Sequence, residues 1–117
     1  MIIKSNDRVA SERANLKGGL GSLVFSDLTT QESKPAKLRL CSEMLIKPGC
    51  SIGEHKHIAE TEIYYCLAGK GQVMDDGRFV DFTVGDNAIT DGIAPHSIIN
   101  NSSEDLRIIA FIVNELI

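Results

Sequence analysis

Two histidines one residue apart, His55 and His57, are followed five positions later by Glu62, within the stretch PGCSIGEHKHIAETEIYYCLAG at residues 48–69. Residues i and i+2 of a β-strand project to one face, so a strand over residues 50–57 carries both imidazoles on the same side. A rise of about 3.3 Å per residue sets their Cα atoms roughly 6–7 Å apart. That spacing lets two ring nitrogens meet one metal ion at about 2.0–2.2 Å each. Glu62 has the wrong parity for that strand. It is expected after a tight connection at residues 58–61, opening the next antiparallel strand and facing the histidines. The third histidine, His96 in APHSIIN (94–100), is distant in sequence, as in a site assembled inside a barrel. A lone histidine is most often a surface residue or a hydrogen-bonded core residue. Here all three histidines of the chain fit one ligand scheme beside a suitably placed glutamate. The sequence therefore predicts a metal site made by His55, His57, Glu62 and His96.

Three neutral imidazoles and one carboxylate leave a divalent ion with a net charge of about +1, and six-coordination leaves about two positions for water or substrate. Such a centre favours small anions that bind through two oxygens: carboxylates, enolates and α-keto acids. The mixed nitrogen and oxygen donors suit one divalent ion among Mn, Fe, Co, Ni, Cu and Zn. Other polar residues nearby read as supporting. Glu54 points away from the histidines on a regular strand, and Glu60 falls in the turn, where a solvated side chain is expected. Arg39 and Glu43 share a strand face that reads as surface. Tyr64 shares parity with Glu62 and reads as packing; Asn100 shares parity with His96 and reads as a structural hydrogen bonder. No general base stands out beyond the metal ligands, so no catalytic residue is assigned.

The same residues carry a family resemblance. Gly49, five residues, His55-x-His57, four residues, Glu62, six residues and Gly69 resemble the first cupin motif at every defined position. Gly85, ten residues, His96, three residues and Asn100 resemble the second. That second motif departs from the family at Asp91 and Ile93, where Pro and Gly are usual, and Gly92 sits one place early. The resemblance spans residues 49–100 and implies a double-stranded β-helix, or jelly-roll barrel, with the metal held by the four residues above. Cupins include decarboxylases, dioxygenases, sugar isomerases and epimerases, so the resemblance implies first a metal-dependent enzyme acting on a small organic acid or related oxygenated metabolite, of decarboxylase, dioxygenase or isomerase type, and as the alternative a non-catalytic metal-binding cupin that senses or stores a small molecule. Small cupins also imply a homodimer.

The elements needed to position these residues can be read along the chain. Residues 1–37 say least: Ile2-Ile3 could start a strand, and Asn6 or Asp7 could cap a short helix reaching Leu16. Lys17-Gly18-Gly19 reads as a turn, residues 20–28 as a strand, and residues 29–37 as a polar loop around Pro35. From Leu38 the pattern is β throughout. Leu38, Leu40, Met44 and Ile46 alternate with Arg39, Glu43 and Lys47. Strands follow at residues 50–57, 62–68, 72–74, 78–82, 87–90, 96–100 and 106–113. Asp76-Gly77 favours positive φ and marks a hairpin. The last strand is apolar on both faces, with Leu106, Ile108, Ala110 and Ile112 on one and Ile109, Phe111 and Val113 on the other. Many short strands punctuated by Gly, Asn, Asp and Pro argue for an all-β sandwich or barrel.

Composition bounds the rest. The 117 residues, 43% hydrophobic, suit a single domain over 1–117 with its metal-binding core at about 38–113. A net charge of −4 without a Lys/Arg cluster argues against nucleic acid and anionic membrane as partners, leaving a small anionic ligand. No apolar run suggests a signal peptide or a membrane span, and a cytoplasmic protein is expected. Cys41, Cys50 and Cys66 are odd in number and read as free thiols. Cys66 shares parity with Glu62 but lies about 13 Å further along the strand, too far to join the metal ligands.

Overall fold

The computed structural model describes residues 1–115. After a 3-10 turn at Ser5–Asp7 the chain forms β1 (Ala10–Ala14), a second 3-10 turn (Leu16–Gly18), β2 (Ser22–Asp27) and β3 (Leu38–Ile46). Seven further strands follow: β4 (Ser51–His55), β5 (Glu60–Ala68), β6 (Lys70–Asp75), β7 (Arg78–Thr83), β8 (Asn87–Thr90), β9 (His96–Ile99) and β10 (Leu106–Asn114). They make a six-stranded sheet, β1-β2-β3-β10-β5-β8, and a four-stranded sheet, β4-β9-β6-β7. From β3 onward the chain passes back and forth between the two sheets. The run β3 to β6 is wound antiparallel to the run β7 to β10. Their pairs are β3 with β10, β4 with β9, β5 with β8 and β6 with β7. This is the double-stranded β-helix that the strand pattern and motifs implied.

The point where the two runs meet is the β6–β7 hairpin. Asp76 and Gly77 sit there at φ 51° and 80°, a left-handed pair that a two-residue turn requires. Alternation then sends one side chain in two into the space between the sheets. Leu23, Phe25, Met44, Ile46, Ile98 and Ile108 are buried there with almost no exposure. β10 lies between β3 and β5 and supplies Leu106, Ile108, Ala110 and Ile112 to the core. Its other face carries Ile109 and Phe111, half-buried, and Val113, exposed. Cys41 and Cys66 are buried and Cys50 is half-buried, and all three are free thiols as expected.

The N-terminal region differs from its sequence reading. Ile2 and Ile3 start no strand, and no helix runs from Asn6 or Asp7 to Leu16. Residues 10–14 instead form an edge strand on β2, with Ala10 opposite Ser26 and Ala14 opposite Ser22. Every residue of β1 is exposed, so the strand buries no apolar face and leaves no period-2 signal. Backbone pairing to β2 defines it, together with the Arg13 guanidinium lying 4.1 Å over the Phe25 ring. None of the described helical segments is long and apolar enough to cross a membrane.

Candidate metal centre

The ends of three strands and one connection converge at a single point. His55 is the last residue of β4 and His96 the first of β9, and the two are direct cross-strand partners. Glu62 comes from the opposite sheet, as the third residue of β5. Its parity is shared with Tyr64 and Cys66, both buried, so its carboxylate points between the sheets.

His57 corrects the sequence reading. The expected strand over residues 50–57 ends at His55, and His57 lies in the connection at residues 56–59. The connection keeps its expected four residues but falls two positions earlier, because β10 extends to Asn114, which pairs with Glu60 and draws the start of β5 back to that residue. Ala59, at φ 56°, makes the sharp reversal this leaves. The His57 ring therefore reaches the site from a loop, set at 76° to the His55 ring. Strand parity with His55 does not place it.

The four side chains meet through their tips. His57 Nε2 lies 2.8 Å from Glu62 Oε1 and 2.9 Å from His96 Nε2. His96 Nε2 is also 2.9 Å from His55 Nε2 and 3.2 Å from Glu62 Oε1. One ligand atom from each residue lies within 4.8 Å of every other. His57, Glu62 and His96 are buried; His55 is half-buried and marks the open side. Such a group of donors could hold a metal ion.

Each imidazole is held by its other nitrogen, and each by a different partner. His55 Nδ1 donates to the Gly53 carbonyl at 2.7 Å. His96 Nδ1 sits 3.1 Å from the Thr90 hydroxyl. His57 Nδ1 donates to the Glu60 carboxylate at 3.1 Å. Glu60 is in turn gripped by Arg39, whose Nε and Nη2 both reach its carboxylate oxygens. These bonds aim all three Nε2 atoms inward. Tyr64, buried below, stacks on the His96 ring at 5.5 Å between centroids and 20° between planes.

The electrostatics follow from that packing. Burial by itself would raise the Glu62 carboxyl, but hydrogen bonds from His57 and His96 outweigh it and bring it down to about 2. The Glu62 hydrogen bond, partly opposed by burial, holds His57 above the usual histidine range. Burial pushes His55 down, against the Gly53 carbonyl that favours its charged form. Arg39 keeps the Glu60 carboxyl below the usual range. Burial pushes the Tyr64 phenol well up, so it stays protonated.

Other expectations resolve case by case. Glu54 is exposed, as expected. Glu60 is not a solvated turn residue: it opens β5, half-buried, tied to Arg39 and His57. Glu43 lies on the outer face, between Arg8 at 3.0 Å and Arg107 at 3.1 Å, and does not face the interior. Asn100 is structural. It donates to the Ile46 and Glu104 carbonyls and accepts from Ser102. Thr90 and the Arg39–Glu60 link were not legible, since Arg39 lies twenty-one residues from Glu60 and carries no motif.

Residues 42–112 match the cupin domain family. This chain is a cupin. Over 113 residues it is 37% identical to a Thermotoga maritima protein named "Oxalate-binding protein", covering 97% of this chain and 93% of that one. A crystal structure from Thermotoga maritima, described as a predicted oxalate decarboxylase, superposes with a TM-score of 0.91 at 37% identity, over 97% of this cupin and 99% of that chain. A cupin 2 conserved barrel domain protein from Salinispora arenicola shares the fold at 23% identity, with a TM-score of 0.65 over 93% and 77% of the two chains.

Proposed function

We propose that this cupin holds one divalent metal ion through His55, His57, Glu62 and His96, and that the ion binds a small chelating dicarboxylate of the oxalate class. The spacing of the donor atoms carries the reading. Ligands about 2.1 Å from an ion lie about 3.0 Å apart when they occupy neighbouring octahedral positions, and about 3.4 Å apart in a tetrahedron. Of the six separations among the four donors, those at His57–Glu62, His57–His96, His55–His96 and His96–Glu62 are 2.8, 2.9, 2.9 and 3.2 Å, and the other two lie within 4.8 Å. Three of the four fall closer to the octahedral edge. Neutral imidazoles and Glu62 would leave the ion with a net charge of about +1 and about two open positions. A dicarboxylate meets both positions at once and gains Coulomb energy in a partly dry site. The Thermotoga maritima matches, a protein named for binding oxalate and a structure described as a predicted oxalate decarboxylase, support this ligand class.

Binding is favoured over turnover. The two ionisable groups beside the ligands, Glu60 and Tyr64, are tied to Arg39 and buried against His96 respectively. Neither is free to carry a proton to and from a bound acid. Turnover as a decarboxylase, dioxygenase or isomerase is the second reading, supported by the description of the solved relative. Calorimetry with oxalate on metal-loaded and metal-free protein tests the first reading. Binding that needs the metal is expected; equal binding to both forms would overturn it. Release of carbon dioxide or loss of oxalate on prolonged incubation would move the assignment to the second.

A further inference from the structure

Of the three nitrogens that point away from the centre, only that of His57 meets a charge. Gly53 offers His55 a backbone carbonyl, and Thr90 offers His96 a hydroxyl. Glu60 offers His57 a carboxylate, and that carboxylate is itself fixed by two guanidinium nitrogens of Arg39. His57 is also the one candidate ligand that lies on a loop, outside the strand ladders. Backbone pairing orients His55, Glu62 and His96; it does nothing for His57. We propose that Glu60, fastened by Arg39, is the positioning residue that makes His57 a metal ligand. The inference rests on the metal reading given above and extends it to two residues outside the ligand set.

The physical argument has three parts. An ionised carboxylate only accepts hydrogen bonds, so Glu60 favours the His57 tautomer with its proton on Nδ1, and an ion that took up the Glu62 oxygen would meet the lone pair on Nε2, the atom aimed at the centre. A carboxylate behind an imidazole also makes it a better donor, and losing such a partner commonly costs about 10–100-fold in metal affinity. Arg39 contributes in two ways. It fixes the carboxylate through a two-point contact, whose geometry a single hydrogen bond would leave free. It also balances the charge of Glu60, so that a second carboxylate near the ion does not cancel the positive charge that attracts an anionic ligand. Arg39 sits on β3 and Glu60 on β5, with β10 between them, so the pair clasps the rim of the sheet across an intervening strand.

The test is metal affinity by competition with a chelator, read on wild type, Glu60→Ala, Glu60→Gln, Arg39→Ala and the double variant, with the Tm of each metal-free protein measured in parallel. Glu60→Ala should bind metal about 10–100-fold more weakly. Glu60→Gln should recover part of this, because its amide oxygen still accepts from Nδ1–H. Arg39→Ala should weaken binding less than Glu60→Ala, and the double variant should be no worse than Glu60→Ala alone, since Arg39 acts through Glu60. A merely structural role would lower the Tm of the metal-free protein and leave affinity unchanged. Affinity of Glu60→Ala and Glu60→Gln within twofold of wild type would overturn the proposal while the metal site stands. A wild-type protein that binds no metal would overturn both.

Discussion

His55 and His96 face each other as direct partners across the β4–β9 pair, with their Nε2 atoms 2.9 Å apart. Two neutral imidazoles of the same tautomer cannot satisfy that contact, because both Nε2 atoms would be acceptors once both Nδ1 atoms carry hydrogen. His57 Nε2 and Glu62 Oε1 crowd the same point. A cation held there would relieve the conflict by accepting all three lone pairs together with the carboxylate oxygen.

Loss of either a loop or a strand ligand should therefore empty the site. His57→Ala and His96→Ala are each expected to retain far less metal than wild type after dialysis, measured by elemental analysis. Full retention in both variants would dismiss the ligand assignment.

Metal uptake should release protons. The Glu62 hydrogen bond holds His57 above the usual histidine range, so part of the metal-free population near neutral pH carries a proton on Nε2. That proton must leave before Nε2 can ligate. Calorimetry of metal binding in buffers of different ionisation enthalpy should show proton release that grows as pH falls from about 8 to about 6. Buffer-independent heats across that range would contradict it.

The metal-free protein should have an acid limb that belongs to Glu62. The Glu62 carboxyl is depressed from 4.5 to about 2 by His57 and His96. A depressed carboxyl stabilises the fold above its unfolded pKa and loses that contribution as pH falls toward the folded value. Metal-free wild type should therefore lose stability between about pH 4.5 and about pH 2, and Glu62→Gln should lose less over the same interval. Parallel denaturation curves for the two proteins would refute this.

Gly92 should be intolerant of a side chain. It sits at φ 87°, and a Cβ there would fall on the carbonyl oxygen of His57 and close to that of Glu60. Gly92→Ala is expected to cost about 1–3 kcal/mol in stability, seen by denaturant titration. It should also weaken metal binding, because relief comes by shifting the connection that carries His57. Unchanged affinity would show that the loop absorbs the methyl group elsewhere.

Assembly is the fifth matter open to direct measurement. The outer face of the six-stranded sheet presents Ile109, Phe111 and Val113 of β10 beside Tyr65 and Leu67 of β5 and Ile89 of β8. Tyr65, Leu67 and Ile89 are 42%, 39% and 67% exposed, so the chain leaves this face uncovered by its own N-terminal segment. We expect a second copy to cover it, and light scattering at micromolar concentration should give the mass of a dimer. A monomer mass would remove that expectation.

The sequence by itself determined the candidate ligand set and the strand architecture from β3 onward, save for the exact ends of strands. His55, His57, Glu62 and His96 stand at spacings that barrel strands can bring together, and turn chemistry such as Asp76-Gly77 announced where the chain reverses. These are local signals: period-2 alternation, left-handed turn residues and donor side chains write themselves into adjacent positions. What only the tertiary structure decided was long-range. β1 carries no apolar alternation and exists because β2 offers it an edge. β5 starts at Glu60 and not at Glu62 because β10 is long enough to pair with it, which moves His57 off the strand and into a loop. Arg39 reaches Glu60 across β10, a contact set by strand order and invisible in the linear chain. Sequence patterns report how a residue sits relative to its own element. The partner that completes a hydrogen bond is chosen by which elements lie side by side, and that is settled only when the whole barrel closes.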